Sequence, residues 1–159
     1  MKLNNPHDKL FKAILQDQTL AVDYFNHFLP AQVVEQIDLD TLTISNTSYI
    51  DEKLRDTYAD VVFSCDLKND AEPIEIALLL EHKSYIDRHA PFQILYYIAS
   101  AWMQAISNKQ PPRLIIPVLF YHGQEPWGYS TIGDYFKYLH PTLLQHVPDF
   151  DFIFNNLNG

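Results

Sequence analysis

The chain has 159 residues, the size of one ordinary domain, and 47% of them are hydrophobic, so a genuine core is expected. Its 11 basic and 20 acidic residues leave a net charge of −9. That balance counts against a broad basic face for nucleic acid, but not against a nuclease whose own carboxylates hold a cation. The single cysteine, Cys65, excludes an intramolecular disulfide framework and fits a reducing cytoplasm. The apolar runs Ile76–Leu80 and Leu114–Tyr121 are too short to span a bilayer, and the polar N-terminus lacks a signal-peptide core.

Asn5-Pro6 suits a helix start, and Leu10, Phe11, Ile14 and Leu15 follow at helical spacing. Ala21, Val22, Phe25, Phe28 and Leu29 form a second helical stripe closed by Pro30, and 31–36 add a short helix. Residues 41–50 read as a strand, and Asp51–Thr57 as a charged connection. Tyr58–Leu67 is a strand with Ala59, Val61, Phe63, Cys65 and Leu67 on one face and Tyr58, Asp60, Val62, Ser64 and Asp66 on the other. After the turn Lys68-Asn69-Asp70, Ile74–Lys83 returns as the antiparallel partner.

Pro91 opens a long helix. Its apolar face is expected to be Phe92, Leu95, Tyr96, Ala99, Trp102, Met103 and Ile106, with Gln93, Tyr97, Ser100 and Gln104 as a polar stripe. Leu114–Tyr121 is a strand in which Pro117 calls for a bulge or for a ladder position left unpaired at its nitrogen. A helix at Ile132–Leu139 and an alternation at Phe150–Phe154 follow. The order predicts an α/β sandwich with a central mixed sheet flanked by helices. One domain over 1–159 is expected, with a core at about 5–123 and a C-terminal extension at 124–159. The late alternation reads as the start of structure that further chain would continue.

Leu78-Leu79-Leu80-Glu81-His82-Lys83 places an acid and an ammonium two positions apart at the end of a buried strand. Charges there are costly unless paired or bound to something. Asp60 opens one strand of the hairpin and Glu81 closes the other, so the two carboxylates are expected to meet. With a backbone carbonyl, which His82 would supply, they make a partial shell for a hard cation. Such an ion acidifies water and screens a phosphoryl oxygen, while Lys83 stands beside it as a cation.

The segments His7–Lys12, Asp51–Arg55 leading to Ala59–Phe63, Glu81–Ser84, Gln93 with Tyr96-Tyr97, and Ile115–Gly123 together resemble the Rpn recombination-promoting nucleases. That transposase-like family has the PD-(D/E)XK nuclease core, which is a restriction-endonuclease-like fold. The resemblance implies a Mg²⁺-dependent DNA endonuclease, with Mn²⁺ or Ca²⁺ as other possible ions. The resemblance further implies a link to recombination or mobile elements, a cytoplasmic location without membrane attachment, and room for a homodimer. It also implies metal ligation by Asp60 and Glu81, catalysis by Lys83, and support from Gln93. Asp8 is a candidate accessory acid; Lys9, Lys12, Arg55 and Arg88 are candidates for phosphate contact.

Other chemistries find less support. His7, His82 and His122 lack zinc-ligand spacing, no glycine loop cradles a phosphate, and no serine sits in a nucleophile elbow. The competing class is a catalytically silent nuclease fold used for protein interaction, which the acidic balance and the aromatic C-terminal half would suit.

Overall fold

The computed structural model describes residues 13, 17–45, 47–70, 72–82, 89–121 and 129–156. Most of the first expected helix and residues 83–88, Lys83 among them, lie outside them. Helix α1 spans Gln18–Phe28 and is capped by Asp17, whose carboxylate accepts from the backbone N–H of Thr19 and Leu20. The short α2, Ala31–Val34, follows Pro30. Five strands come next: β1 Ile37–Ile44, β2 Tyr58–Leu67, β3 Pro73–Glu81, β4 Ile115–Tyr121 and β5 Ile153–Asn156. Between β3 and β4 runs α3, Ala90–Ser107, with Pro91 in its first turn.

The sheet order is β1-β2-β3-β4-β5. The first two pairings are antiparallel and the last two parallel, which makes the expected mixed sheet. Every residue of β3 from Ile74 to Glu81 is buried, because helices cover both faces of the central strand. On one face Val61, Phe63, Cys65, Ile76, Leu78 and Phe120 pack with Ala21, Tyr24 and Phe25 of α1. On the other, Tyr58, Ala77, Leu79 and Leu119 pack with Ala90, Ile94, Tyr97, Ile98 and Ala101 of α3.

Several expectations shift. The first strand is Ile37–Ile44 rather than 41–50, because Ile37, Leu39 and Leu42 supply its buried anchors. The α3 face is turned: Tyr97 is fully buried, while Trp102, Met103 and Ile106 are exposed. Pro117 sits in an unbroken register opposite Ala77, and pairing of β4 with β5 begins one residue later at Val118. The expected helix at Ile132–Leu139 is a 3-10 turn over Ile132–Phe136, entered through a Thr131–Asp134 capping box. The short helix α4 spans Pro141–Leu144. The late alternation becomes β5, which joins the sheet beside β4. Among the described residues, no helix is long and apolar enough to cross a membrane.

Candidate active site

The hairpin register decides where the two acids stand. Tyr58 pairs with Glu81, and Asp60 pairs with Leu79. Paired residues share a face, so Asp60 and Glu81 both project toward α3, as diagonal cross-strand neighbours. Such positions lie about 7–8 Å apart at the backbone, near enough for two carboxylates to reach one cation with bonds of roughly 2.0–2.6 Å.

Glu81 has no solvent exposure at the last position of β3. His82 follows, and its backbone N–H donates to the Thr57 carbonyl at 2.8 Å, which extends the ladder beyond the strand. Asp60 is half-buried and closely held. The Ser48 hydroxyl donates to Oδ1 at 2.5 Å. The Tyr49 backbone N–H donates to Oδ2 at 2.9 Å, and the Tyr97 hydroxyl donates to the same oxygen at 2.7 Å. An ionised carboxylate has about four lone-pair sites, so these three donors fix its orientation and leave room for about one further bond.

Burial pushes the Tyr97 phenol far above its ordinary range, helped by the Asp60 charge and by the hydrogen bond to it. Tyr97 therefore stays protonated and remains a donor to Asp60. Gln93 sits one helical turn earlier on α3 and accepts from the Tyr58 hydroxyl at 2.6 Å. Because Tyr58 is the register partner of Glu81, this bond holds Gln93 at the same end of the hairpin.

The loop before β2 docks against α3. The Tyr96 hydroxyl donates to Asp51 Oδ2, which holds the Asp51 carboxyl below its usual range, and Lys53 Nζ lies 5.2 Å from the Tyr96 ring centre. Arg55 is exposed on this loop, two residues before the buried Thr57. Asp8, Lys9, Lys12, Lys83 and Arg88 lie outside the described residues.

The sequence reading did not name Ser48, Tyr49 or Tyr97 as partners of Asp60. For Tyr97 a signal existed, since it lies four residues after Gln93 and shares its helical stripe. Glu75 was also missed. It is the other acid on the α3 side of β3, buried at 8% exposure, and it accepts from the Tyr49 hydroxyl at 2.9 and 3.0 Å. Its signal was a lone glutamate inside an apolar run.

Among the described residues, no group of three or more His, Cys, Asp or Glu side chains forms a metal cluster. The donor set at this site is smaller and of one kind: two carboxylates on one face. Hard oxygen donors of that sort fit Mg²⁺ or Mn²⁺ in preference to softer metals.

Residues 5–159 match the family model described as "Putative transposase, YhgA-like". The chain belongs to this YhgA-like family. Over 137 residues it is 33% identical to the recombination-promoting nuclease RpnD of Escherichia coli O157:H7, covering 83% of this chain and 52% of that protein. It is 34% identical over 129 residues to RpnA of E. coli K12, a recombination-promoting nuclease, covering 80% and 44%. It is equally 34% identical over 130 residues to RpnE of the same strain, named an inactive recombination-promoting nuclease-like protein, covering 80% and 42%. This YhgA-like chain thus spans about half the length of the curated relatives it matches. No solved structure matches it.

Proposed function

We propose that this chain is a divalent-cation-dependent DNA endonuclease domain that hydrolyses phosphodiester bonds in recombination or mobile-element movement. The observation that supports the reading best is the hairpin register, which sets Asp60 and the fully buried Glu81 on one face at one end of β2 and β3. The names of the relatives, recombination-promoting nucleases, point the same way.

Asp60 and Glu81 would hold the ion, with the His82 backbone carbonyl as a third oxygen donor. A bound Mg²⁺ supplies Lewis-acid charge at a phosphoryl oxygen and lowers the pKa of water. Ser48, Tyr49 and Tyr97 aim the Asp60 carboxylate, so little ordering remains to be done when a cation arrives. Gln93, fixed by Tyr58, presents its amide toward the same end of the hairpin. Lys83, two residues after Glu81, is assigned to orient the attacking water, and Arg55 to contact a backbone phosphate.

A silent, protein-binding role is the second reading. It draws on the equal identity to a relative named inactive. A thermal melt with added Mg²⁺ or Mn²⁺ tests the metal step before any assay of cleavage. A cation held by Asp60 and Glu81 stabilises the fold by mass action, by about 2.7 kcal/mol at a hundredfold excess over Kd, and so raises the melting temperature. Glu81→Gln is expected to abolish the rise, and a rise of equal size in that variant would remove the ion from this site.

A further inference from the structure

A second recess opens on the α3 side of the sheet, at the other end of β3. It is a cavity of about 230 Å³ lined by Glu75, Tyr49, Trp102, Gln104, Asn108 and Arg113, among others. Glu75 and Glu81 are six positions apart on one strand, hence separated by about 20 Å. The cavity therefore lies away from the Glu81 end, although Tyr49, whose backbone N–H holds Asp60, also lines it.

Glu75 is buried to 8% exposure, yet its carboxylate receives one neutral donor, the Tyr49 hydroxyl shared between both oxygens at 2.9 and 3.0 Å. Among the described residues it forms no ion pair. A buried carboxylate with about four lone-pair sites and one hydroxyl has unused acceptor capacity, and such a group is costly to bury unless something donates to it. Arg113 lines the same cavity from an exposed position and is not paired with Glu75. Opposite charges are thus held apart across one small space. The Trp102 indole lines the same space, and its ring N–H donates to the Arg113 carbonyl at 2.7 Å.

These features select an occupant with a donor edge, a flat body and an anionic end. The cavity is smaller than the roughly 300–1,000 Å³ of drug-sized sites, so it holds one ring system and leaves the rest outside. An acceptor-only carboxylate pairs best with two adjacent N–H donors. At neutral pH guanine alone of the DNA bases presents them, through N1–H and the 2-amino group. Adenine, cytosine and thymine each set an acceptor beside their donor, which would meet the carboxylate lone pairs.

We propose that this cavity binds a guanine nucleotide, with the base donor edge on Glu75, the ring beside Trp102 and the phosphate on Arg113. The nucleotide is either free or part of a DNA strand.

Calorimetric titration of the full chain with dGMP, dIMP and dAMP tests it. The expected result is dGMP binding at least about tenfold tighter than dIMP, which lacks the 2-amino group, or dAMP, which reverses the donor pattern. Glu75→Gln keeps the side-chain shape and an acceptor for Tyr49, and should weaken dGMP by a similar factor. Arg113→Ala should weaken dGMP but leave deoxyguanosine unchanged. Displacement of bound dGMP by a short single strand with one guanine would identify the source as DNA, and failure to displace it would identify the free nucleotide; both support the site. No dGMP binding, equal binding of dGMP and dAMP, or an unchanged Glu75→Gln would overturn it. Should Glu75→Gln fail to fold, the base discrimination and the exposed Arg113→Ala still decide.

Discussion

The Tyr97 hydroxyl donates to Asp60 Oδ2 at 2.7 Å from a side chain with no solvent exposure. A buried tyrosine needs a partner for its O–H, and a strand carboxylate beside a proposed cation needs a fixed orientation. The one bond serves both. Tyr97→Phe keeps the ring in the core and removes only the donor. The expected outcome is a loss of about 1.5–3 kcal/mol in urea unfolding, the range for a hydrogen bond to a charged group. Any Mg²⁺-dependent cleavage should fall about 10–100-fold. Unchanged unfolding would show that Asp60 does not depend on this donor.

Asp60 itself separates two substitutions. In Asp60→Asn the remaining oxygen can face Tyr49 and Tyr97, while the Ser48 hydroxyl rotates to accept from the new amide. Asp60→Ala strands all three donors. We expect Asn to stay within about 1 kcal/mol of the parent and Ala to lose about 1–3 kcal/mol, measured by denaturant unfolding. Equal losses would mean that the network does not orient the carboxylate.

Tyr49 contributes, with the buried Tyr97 and Tyr24, to the loss of stability at alkaline pH. Burial, then its bond to Glu75, pushes the Tyr49 phenol up to about 12. In the unfolded chain it ionises near its ordinary value of about 10. Above that value the folded state binds more protons than the unfolded one, so stability falls as pH rises from about 10 toward about 12. Tyr49→Phe should flatten this fall, as read from urea midpoints across that window. An equal slope in the variant would contradict the assignment.

Cys65 lies at 2% exposure on the α1 face of β2, and burial, with the charges of Asp66 and Asp38, pushes its thiol up to about 11. It is expected to resist thiol reagents in the folded protein and to react at once in denaturant. Rapid labelling without unfolding would show that β2 opens locally.

Much of the fold could be read from residue pattern. The strict alternation of Tyr58–Leu67 located β2 to the residue, and the short turn after it forced an antiparallel partner. Strand β1 was misplaced because Asp38 and Asp40 interrupt its apolar anchors. Helix α3 was found but turned wrongly: hydrophobicity put Trp102 and Met103 inside and the tyrosine hydroxyl outside, whereas Tyr97 enters the core because Asp60 receives its O–H. That Asp60 and Glu81 share a face at one end of the hairpin followed from strand direction and side-chain alternation. The hold on Asp60 by Ser48 and Tyr49 did not, since it depends on how the segment after β1 folds back across 11 or 12 residues.

The central claim is that Asp60 and Glu81 form a cation site used to cut DNA. Nicking of supercoiled plasmid by the parent, Asp60→Asn and Glu81→Gln, with Mg²⁺ and with chelator, tests it most directly. The expected result is nicking by the parent only with the cation, and a loss of at least about a hundredfold in both variants. Nicking that persists in either variant or in chelator, or a parent inert under every condition, would contradict it.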